Sequence, residues 1–326
     1  MTFSQAEAHE PEPQRPPRDA VTLALVGPTA SGKTAIAVEL APGLRAEIVG
    51  LDSMQIYRGL DIGTAKPTPE ELKRVPHHML DVADPAKPYS VASFQTVARS
   101  AADGIHARGR RPLFVGGSGL YYRAVVDELD FPPTSAALRA SIEQRDQEEL
   151  LAHLRERDPA AAARIEPANV RRVVRALEVM ELTGKRFSEF RTAWDAFKSR
   201  YDLVVAGIKL EPKLLGERIT ARVDRMIERG LIDEVRSLLD RGLRNSLTAA
   251  RAIAYPEMVS HIDGAITLDE ARDQIIRNTR RFARRQMSWF RADPRITWFD
   301  GSDTERATAE IRAYYEEAID RRTVGA

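Results

Sequence analysis

Apolar positions along the chain fall into short unbroken runs that alternate with segments of helical spacing, and this alternation sets the expected architecture. Val21 to Val26, Ala46 to Leu51, His77 to Val82 and Pro112 to Val115 have strand length and character. Ala35 to Leu40 and Ser90 to Arg108 carry helical periodicity, the second with Ser90 as N-cap and Gly109 as stop. Strands alternating with helices predict a parallel α/β sheet. From Thr134 to about Lys198 strand-like runs vanish. That segment predicts helices over Ser135 to Arg157, over Asn169 to Leu182 with Gly184 closing it, and over Ser188 to Lys198. Tyr201 to Leu210 returns to strand character, so the sheet resumes there. Helices follow over Leu214 to Arg229, stopped by Gly230, over Ile232 to Arg241, and, past Gly264, over Leu268 to Phe290. Ile296 to Phe299 is a last short strand and Thr304 to Ile319 a closing helix. No internal repeat is present. The expected organisation is an α/β core of residues 20–133 and 200–326, interrupted by an all-helical insertion at 134–199. Residues 1–19, rich in Pro and Glu, read as a disordered tail.

Composition narrows the compartment more than the chemistry. The 326 residues suffice for one large or two modest domains, and acids and bases nearly cancel at a formal net charge of +1. Bulk charge therefore argues neither for nor against a nucleic-acid partner. With no cysteine, disulfides, thiolate zinc sites and thiol catalysis are excluded, which fits a reducing compartment. No apolar run approaches bilayer length and the tail lacks an apolar signal core. The expectation is a soluble cytoplasmic monomer with no membrane role.

Candidate chemistry begins at Gly27-Pro28-Thr29-Ala30-Ser31-Gly32-Lys33-Thr34, which reads G-x-x-x-x-G-K-T between a strand and a helix, the context that the P-loop pattern of nucleotide- and ATP-binding proteins requires. Its glycines let successive N–H groups and the helix N-terminus face phosphate oxygens, Lys33 adds a point charge, and the Thr34 hydroxyl is placed for Mg²⁺. Asp52, in Asp52-Ser53-Met54-Gln55, follows the next strand on the same sheet edge, either as a site acid or as a cap of the turn. The glycine-rich stretch Tyr57 to Pro67 is too long for a mere connector. Adjacent His77 and His78 would face opposite sides of a strand, so a structural role is preferred to a metal pair. The strand at 112–115 runs into Gly116-Gly117-Ser118-Gly119 where many P-loop nucleotidases carry an Mg²⁺-holding Asp. Those glycines fit either backbone approach to a second substrate or a tight turn. Arg171, Arg172 and Arg175 read as a solvated face, and Arg218 and Arg222 share one side of their helix. The helix from Leu268 is loaded with arginine and ends in Trp289-Phe290, which suits RNA recognition and core anchoring equally.

The ordered runs GPTASGKT (27–34), LDSMQIYRGLDIGTAKP (51–67), PHHMLD (76–81), FVGGSGLY (114–121), RRVVRALEV (171–179) and RRFARRQMSWFR (280–291) closely resemble the bacterial tRNA dimethylallyltransferases, across about residues 21 to 300. The resemblance implies a P-loop NTPase-like fold with a tRNA-binding helical insertion. It also implies transfer of a prenyl group from dimethylallyl diphosphate, with Mg²⁺, to the adenosine 3′ of the anticodon in a tRNA anticodon stem-loop. By the same resemblance Asp52 is the general base, and the P-loop amides from Thr29 to Thr34, with Lys33, Thr34 and Arg222, neutralise the leaving diphosphate. Asp52 to Gln55 and Ser118 would then contact the target nucleotide. The segment Arg171, Arg172, Val173, Val174 and Arg175 would contact tRNA, as would Arg251 and Tyr255, which reverses the solvated-face reading. Two departures stand out: Ser118 replaces the usual threonine, and Ala254 and Pro256 flank Tyr255 where relatives commonly place glycine before the tyrosine. A small-molecule kinase would explain the P-loop but leave the insertion and the basic helix idle. Prenyl transfer to free adenine nucleotides would need little RNA-facing surface, and a non-catalytic RNA-binding protein would not need Asp52.

Overall fold

The computed structural model describes residues 21–87, 89–246 and 248–324; the tail expected at 1–19 lies outside the described residues. Six strands, β1 (Thr22–Val26), β2 (Ala46–Gly50), β3 (His77–His78), β4 (Arg111–Gly116), β5 (Leu203–Lys209) and β6 (Ile296–Asp300), form one sheet in the order β3-β2-β4-β1-β5-β6. Every pairing is parallel, as the strand–helix alternation predicts, with Leu23 opposite Leu113 on one side of β1 and opposite Val204 on the other. Parallel strands need covered faces, and β1 is buried along its whole length. Helices Lys33–Leu40 and Thr304–Val324 supply one cover. Ala307, Ile311, Tyr315 and Ala318 form a stripe packed into the same core as Leu25, Ile36 and Ile208. The carboxyl ends of β1, β2 and β4 consequently share an edge that carries the P-loop, Asp52 and the Gly116–Gly119 turn.

Three predicted elements are shorter or more broken than the pattern suggests. The strand expected over His77 to Val82 stops after two residues, because Met79 (φ 67°) and Asp81 (φ 54°) enter the left-handed region, which no ladder accommodates. The helix expected over Ser135 to Arg157 is two helices, Ala136–Glu143 and Gln147–Arg157, and the second starts anew at Asp146, whose side chain accepts the Glu148 N–H at 2.7 Å. Over Ser188 to Lys198 the chain makes a 3₁₀ turn, Phe187–Arg191, and a four-residue helix, Thr192–Asp195, and Phe197 at φ 48° prevents continuation. Tyr255–Ile262, unmarked by any helical pattern in the sequence, is a helix with Pro256 in its first turn.

The chain divides into two compact units, residues 21–122 with 201–324 and Arg123–Arg200. The second is all-helical around its own core of Ile142, Leu150, Leu154, Val173, Val174, Leu177 and Met180. Within it the fully buried carboxylate of Glu178 is satisfied by Arg139, Arg175 and the Ser135 N–H. A buried charge requires such partners.

Candidate active site

The P-loop closes because two of its positions exclude side chains or demand glycine geometry. A Cβ on Gly27 would lie 3.0 Å from the Ile208 carbonyl oxygen, and Gly32, at φ 90°, starts the helix Lys33–Leu40 from the left-handed region. Lys33 Nζ donates to the Pro28 carbonyl at 3.1 Å, folding its ammonium across the loop. The Ser31 hydroxyl is buried without a protein partner, as expected of a polar group that serves a ligand. The Thr29 N–H is already taken, at 2.8 Å, by Oε1 of Gln286 from the helix Leu268–Arg291.

Beside the loop, Asp52 caps its own turn: Oδ1 accepts the N–H groups of Met54 (2.8 Å) and Gln55 (3.3 Å). The cap reading is thus met through Oδ1, and the half-buried carboxylate also lines the cavity described below. Gln55 turns its amide to the carbonyls of Thr64 (3.1 Å) and Ala65 (3.0 Å), and Arg222 Nη2 reaches Thr64 O at 3.4 Å. The stretch Tyr57 to Pro67 is therefore a wall of the site. Glu234 fixes that wall, accepting the N–H groups of Asp61 (3.0 Å), Ile62 (2.6 Å) and Gly63 (3.0 Å) and the Tyr255 hydroxyl (2.8 Å). Lys66 ties the same loop to Asp61 and Asp81.

Two adjoining cavities share Lys33, Thr34, Ala65, Pro67 and Arg222. One, of about 410 Å³, is bounded by the P-loop, the Ile62–Thr68 stretch and a face of arginines, Arg218, Arg222, Arg225 and Arg229. The other, of about 70 Å³, adds Thr29, Asp52, Gln55, Phe282 and Gln286. Burial, then the neighbouring Arg222, hold the Lys33 ammonium down to about 8, with Asp52 pulling the other way. Burial likewise lowers the Arg222 guanidinium, with Asp52 opposing and Arg225 adding to the effect. Cations crowded together out of water favour an anion between them. Among the described residues no group of three His, Asp, Glu or Cys side chains could hold a metal. The Thr34 hydroxyl lines both cavities and could hold a divalent cation only together with oxygens of a bound phosphate ligand.

The glycines after β4 answer both to a turn and to close packing. Added Cβ atoms would meet Leu51 at Gly116 (2.6 Å), Gln286 Nε2 at Gly117 (2.4 Å) and Trp289 Cβ at Gly119 (2.6 Å), and the chain turns directly into the helix Gly119–Val126. Ser118 is half-buried in that turn. His78 Nε2 bonds Glu47 at 2.7 Å, and His77 bonds Val75 O through Nδ1 at 2.8 Å while lining the smaller cavity with its Nε2 buried and unpartnered.

The residues expected to meet RNA separate into exposed and enclosed sets. Arg171, Arg172 and Arg251 are exposed. Val173 and Val174, at 1 % exposure each, belong to the helical core, so helical periodicity turns them away from any ligand. Arg175 is spent on Glu178 (2.7 Å) and the carbonyls of Pro132 and Pro133. Tyr255 is fully buried and packs against Gly63, where a Cβ would lie 2.7 Å from its ring, so it supports the loop wall and has no face for RNA. On the helix Leu268–Arg291, Arg277, Arg281, Arg284 and Arg285 form one exposed stripe, whereas Arg272 pairs with Asp224 and Arg280 bonds Gly216 O and Thr220. Phe290 is buried edge-on to Tyr122 and anchors the core, whereas Trp289, 46 % exposed, packs its base against Gly119. The sequence did not single out Glu234, which lies in no motif, or Gln286, which sits within the run 280–291 without a physical signature of its own.

A parallel sheet with a G-x-x-x-x-G-K-T loop between strand and helix and a carboxylate on the same edge defines a P-loop α/β protein. Family models described as IPP transferase and isopentenyl transferase match residues 55–293 and 21–84. The tRNA dimethylallyltransferase of Streptomyces coelicolor is 50% identical over 288 residues, covering 87% of this chain and 91% of that one. That of Geobacillus thermodenitrificans is 45% identical over 302 residues, covering 90% and 94%. Among solved structures, the full-length tRNA isopentenylpyrophosphate transferase of Bacillus halodurans aligns with a TM-score of 0.70 at 42% identity, over 94% of this chain and 98% of that one. A eukaryotic dimethylallyltransferase captured acting on tRNA aligns at 0.79 with 26% identity, over 90% and 77%. The chain belongs to the tRNA dimethylallyltransferase family, and is a prenyl transferase.

Proposed function

We propose that the protein transfers the dimethylallyl group of dimethylallyl diphosphate to N6 of the adenosine at tRNA position 37, 3′ of the anticodon, in tRNAs reading codons that begin with U. The products are N6-isopentenyladenosine and diphosphate. The observation that carries the reading is the shared wall: Lys33, Thr34 and Arg222 border both the arginine-lined cavity and the cavity that holds Asp52. A donor diphosphate in the first presents its allylic carbon toward the second. The C–O bond breaks as the P-loop amides, Lys33 and Arg222 take up the growing charge of the leaving diphosphate. The N6–C bond forms and Asp52 accepts the N6 proton; an adenine amine is a weak nucleophile whose proton must leave as it reacts. Mg²⁺ at Thr34 would add charge neutralisation at the diphosphate.

The target base is turned out of its stacked loop to reach Asp52. Ser53, Met54, Gln55 and Ser118 would line its path. Arg171, Arg172 and Arg251, with the stripe Arg277, Arg281, Arg284 and Arg285, would meet the phosphates of the anticodon stem-loop. We further propose that residues 134–199 act as a tRNA-binding domain and that the enzyme works as a cytoplasmic monomer. No helix among the described residues is long and apolar enough to cross a membrane.

The test is incubation with Mg²⁺, radiolabelled dimethylallyl diphosphate and an anticodon stem-loop with adenosines at positions 36 to 38. Label in the RNA with stoichiometric diphosphate supports the reading. ATP consumed in stoichiometric phosphorylation of a small metabolite, with no label in RNA, would return the P-loop to a kinase, and efficient labelling of free AMP would move the acceptor from RNA to nucleotide.

A further inference from the structure

Gln286 is 5 % exposed, and its orientation is fixed by chemistry. A backbone N–H can only donate, so the bond from Thr29 N at 2.8 Å places Oε1 on the P-loop side and leaves Nε2 on the other. That NH₂ group makes no hydrogen bond among the described residues, yet it is not sealed in the protein. It opens into the 70 Å³ cavity that Asp52 and Gln55 line. Gly117 makes room for it, since a Cβ there would stand 2.4 Å from Nε2. An almost buried amide with one end anchored and the donor end unused is arranged for a ligand acceptor.

We infer that Gln286 determines acceptor specificity, donating Nε2–H to the ring nitrogen beside the reactive amine of adenine. This rests on the prenyl-transfer reading. The diphosphate already meets charged donors in Lys33 and Arg222, beside which a neutral carboxamide adds little. Adenine, in contrast, flanks its N6 amine with two neutral acceptors, N1 and N7. A carboxylate taking the amine proton and an amide donating to the adjacent nitrogen make a two-point match to adenine. Guanine offers a carbonyl where adenine has the amine, leaving Asp52 facing an acceptor. Gln286 thus also couples the two substrates, since one amide holds the P-loop at Thr29 and the base at its other end.

The test uses the full-length protein with stem-loops carrying adenosine, 1-deazaadenosine or 7-deazaadenosine at the acceptor position. With the wild type, one deaza substrate is expected to lose about three- to tenfold in kcat/KM, the value of one neutral hydrogen bond, and the other to react normally. In Gln286→Met that difference is expected to vanish, a non-additivity that a purely structural role for the side chain would not produce. Wild-type transfer indifferent to both deaza substitutions overturns the assignment without recourse to any variant. So does an equal deaza penalty in wild type and Gln286→Met. No transfer to the unmodified stem-loop overturns the prenyl-transfer reading and this assignment together.

Discussion

Tyr255 donates its hydroxyl to Glu234 at 2.8 Å, and through that one carboxylate a buried ring supports the loop that borders the two cavities. The three N–H groups of Asp61, Ile62 and Gly63 converge on Glu234, and the carbonyls just beyond, at Thr64 and Ala65, hold Gln55 and Arg222. Burial first, then the negative charge of Glu234, raise the Tyr255 hydroxyl far above its ordinary range, so it stays a donor at any working pH.

Removing the carboxylate should loosen the loop while the sheet stays intact. Glu234→Ala leaves two partly buried N–H groups, an exposed one and a phenol without their acceptor, at a cost of about 2 to 4 kcal/mol. We expect kcat/KM to fall about 10- to 100-fold, whereas Tyr255→Phe, which leaves the three N–H bonds in place, costs about 1 kcal/mol and a few-fold in rate. Denaturant unfolding and steady-state kinetics on both variants check this. Equal effects of the two changes would contradict it.

Ala254 sits at φ 86°, a region where an alanine Cβ is strained and glycine is not. Ala254→Gly is expected to raise stability by about 1 kcal/mol and the unfolding midpoint by about 2 °C, measured by calorimetry. A glycine at 254 would relieve that strain, and Pro256 is accommodated because the first turn of a helix has no use for its missing N–H.

Lys33 titrates where assays are run. Its folded value of about 8 is depressed from 10.5, so the free enzyme loses the charge as pH rises through 8. A bound diphosphate favours the charged form and lifts that value. Donor affinity, measured by calorimetry without RNA, should therefore be flat below pH 7 and weaken by up to about tenfold per unit above 8. Arg222→Gln removes one cause of the depression and should move the onset of that loss to higher pH.

The arginines divide by what they already touch. Arg281→Ala and Arg284→Ala, each exposed and without a carboxylate partner among the described residues, should weaken stem-loop binding and each reduce the salt slope of log Kd by about 1, with no change in stability. Arg175→Ala should instead destabilise the helical unit by about 3 kcal/mol or more, because it strips a partner from the buried Glu178. Binding measured over a salt series, together with thermal melts, separates the two classes.

The elements that were legible in the sequence are those whose physics is local. The strand, loop and helix at 21–40 carry their own glycines and apolar runs, and Ser90, Asn169, Gly109, Gly184 and Gly230 mark helix ends where the structure has them. Asp52 was legible from strand order, since the end of a parallel strand is a position on the shared edge. What escaped depends on contacts distant in the chain. Glu234 acts on residues some 170 positions earlier and Gln286 on one 257 earlier, and both look like ordinary helix residues. Tyr255, Val173, Val174 and Arg175 were placed by motif, and a motif does not state which way a side chain points: periodicity buries the two valines, and the carbonyls of Pro132 and Pro133 capture the arginine.

The most direct measurement is single-turnover prenyl transfer to the stem-loop by Asp52→Asn, with donor binding measured on the same preparation. Asparagine keeps an oxygen for the N–H groups of Met54 and Gln55, so the turn survives while the base is lost. We predict a rate lower by about 10² to 10⁴ with donor affinity unchanged or tighter, since the opposing charge beside Lys33 and Arg222 has gone. A rate within about fivefold of wild type would contradict Asp52 as the group that takes the N6 proton.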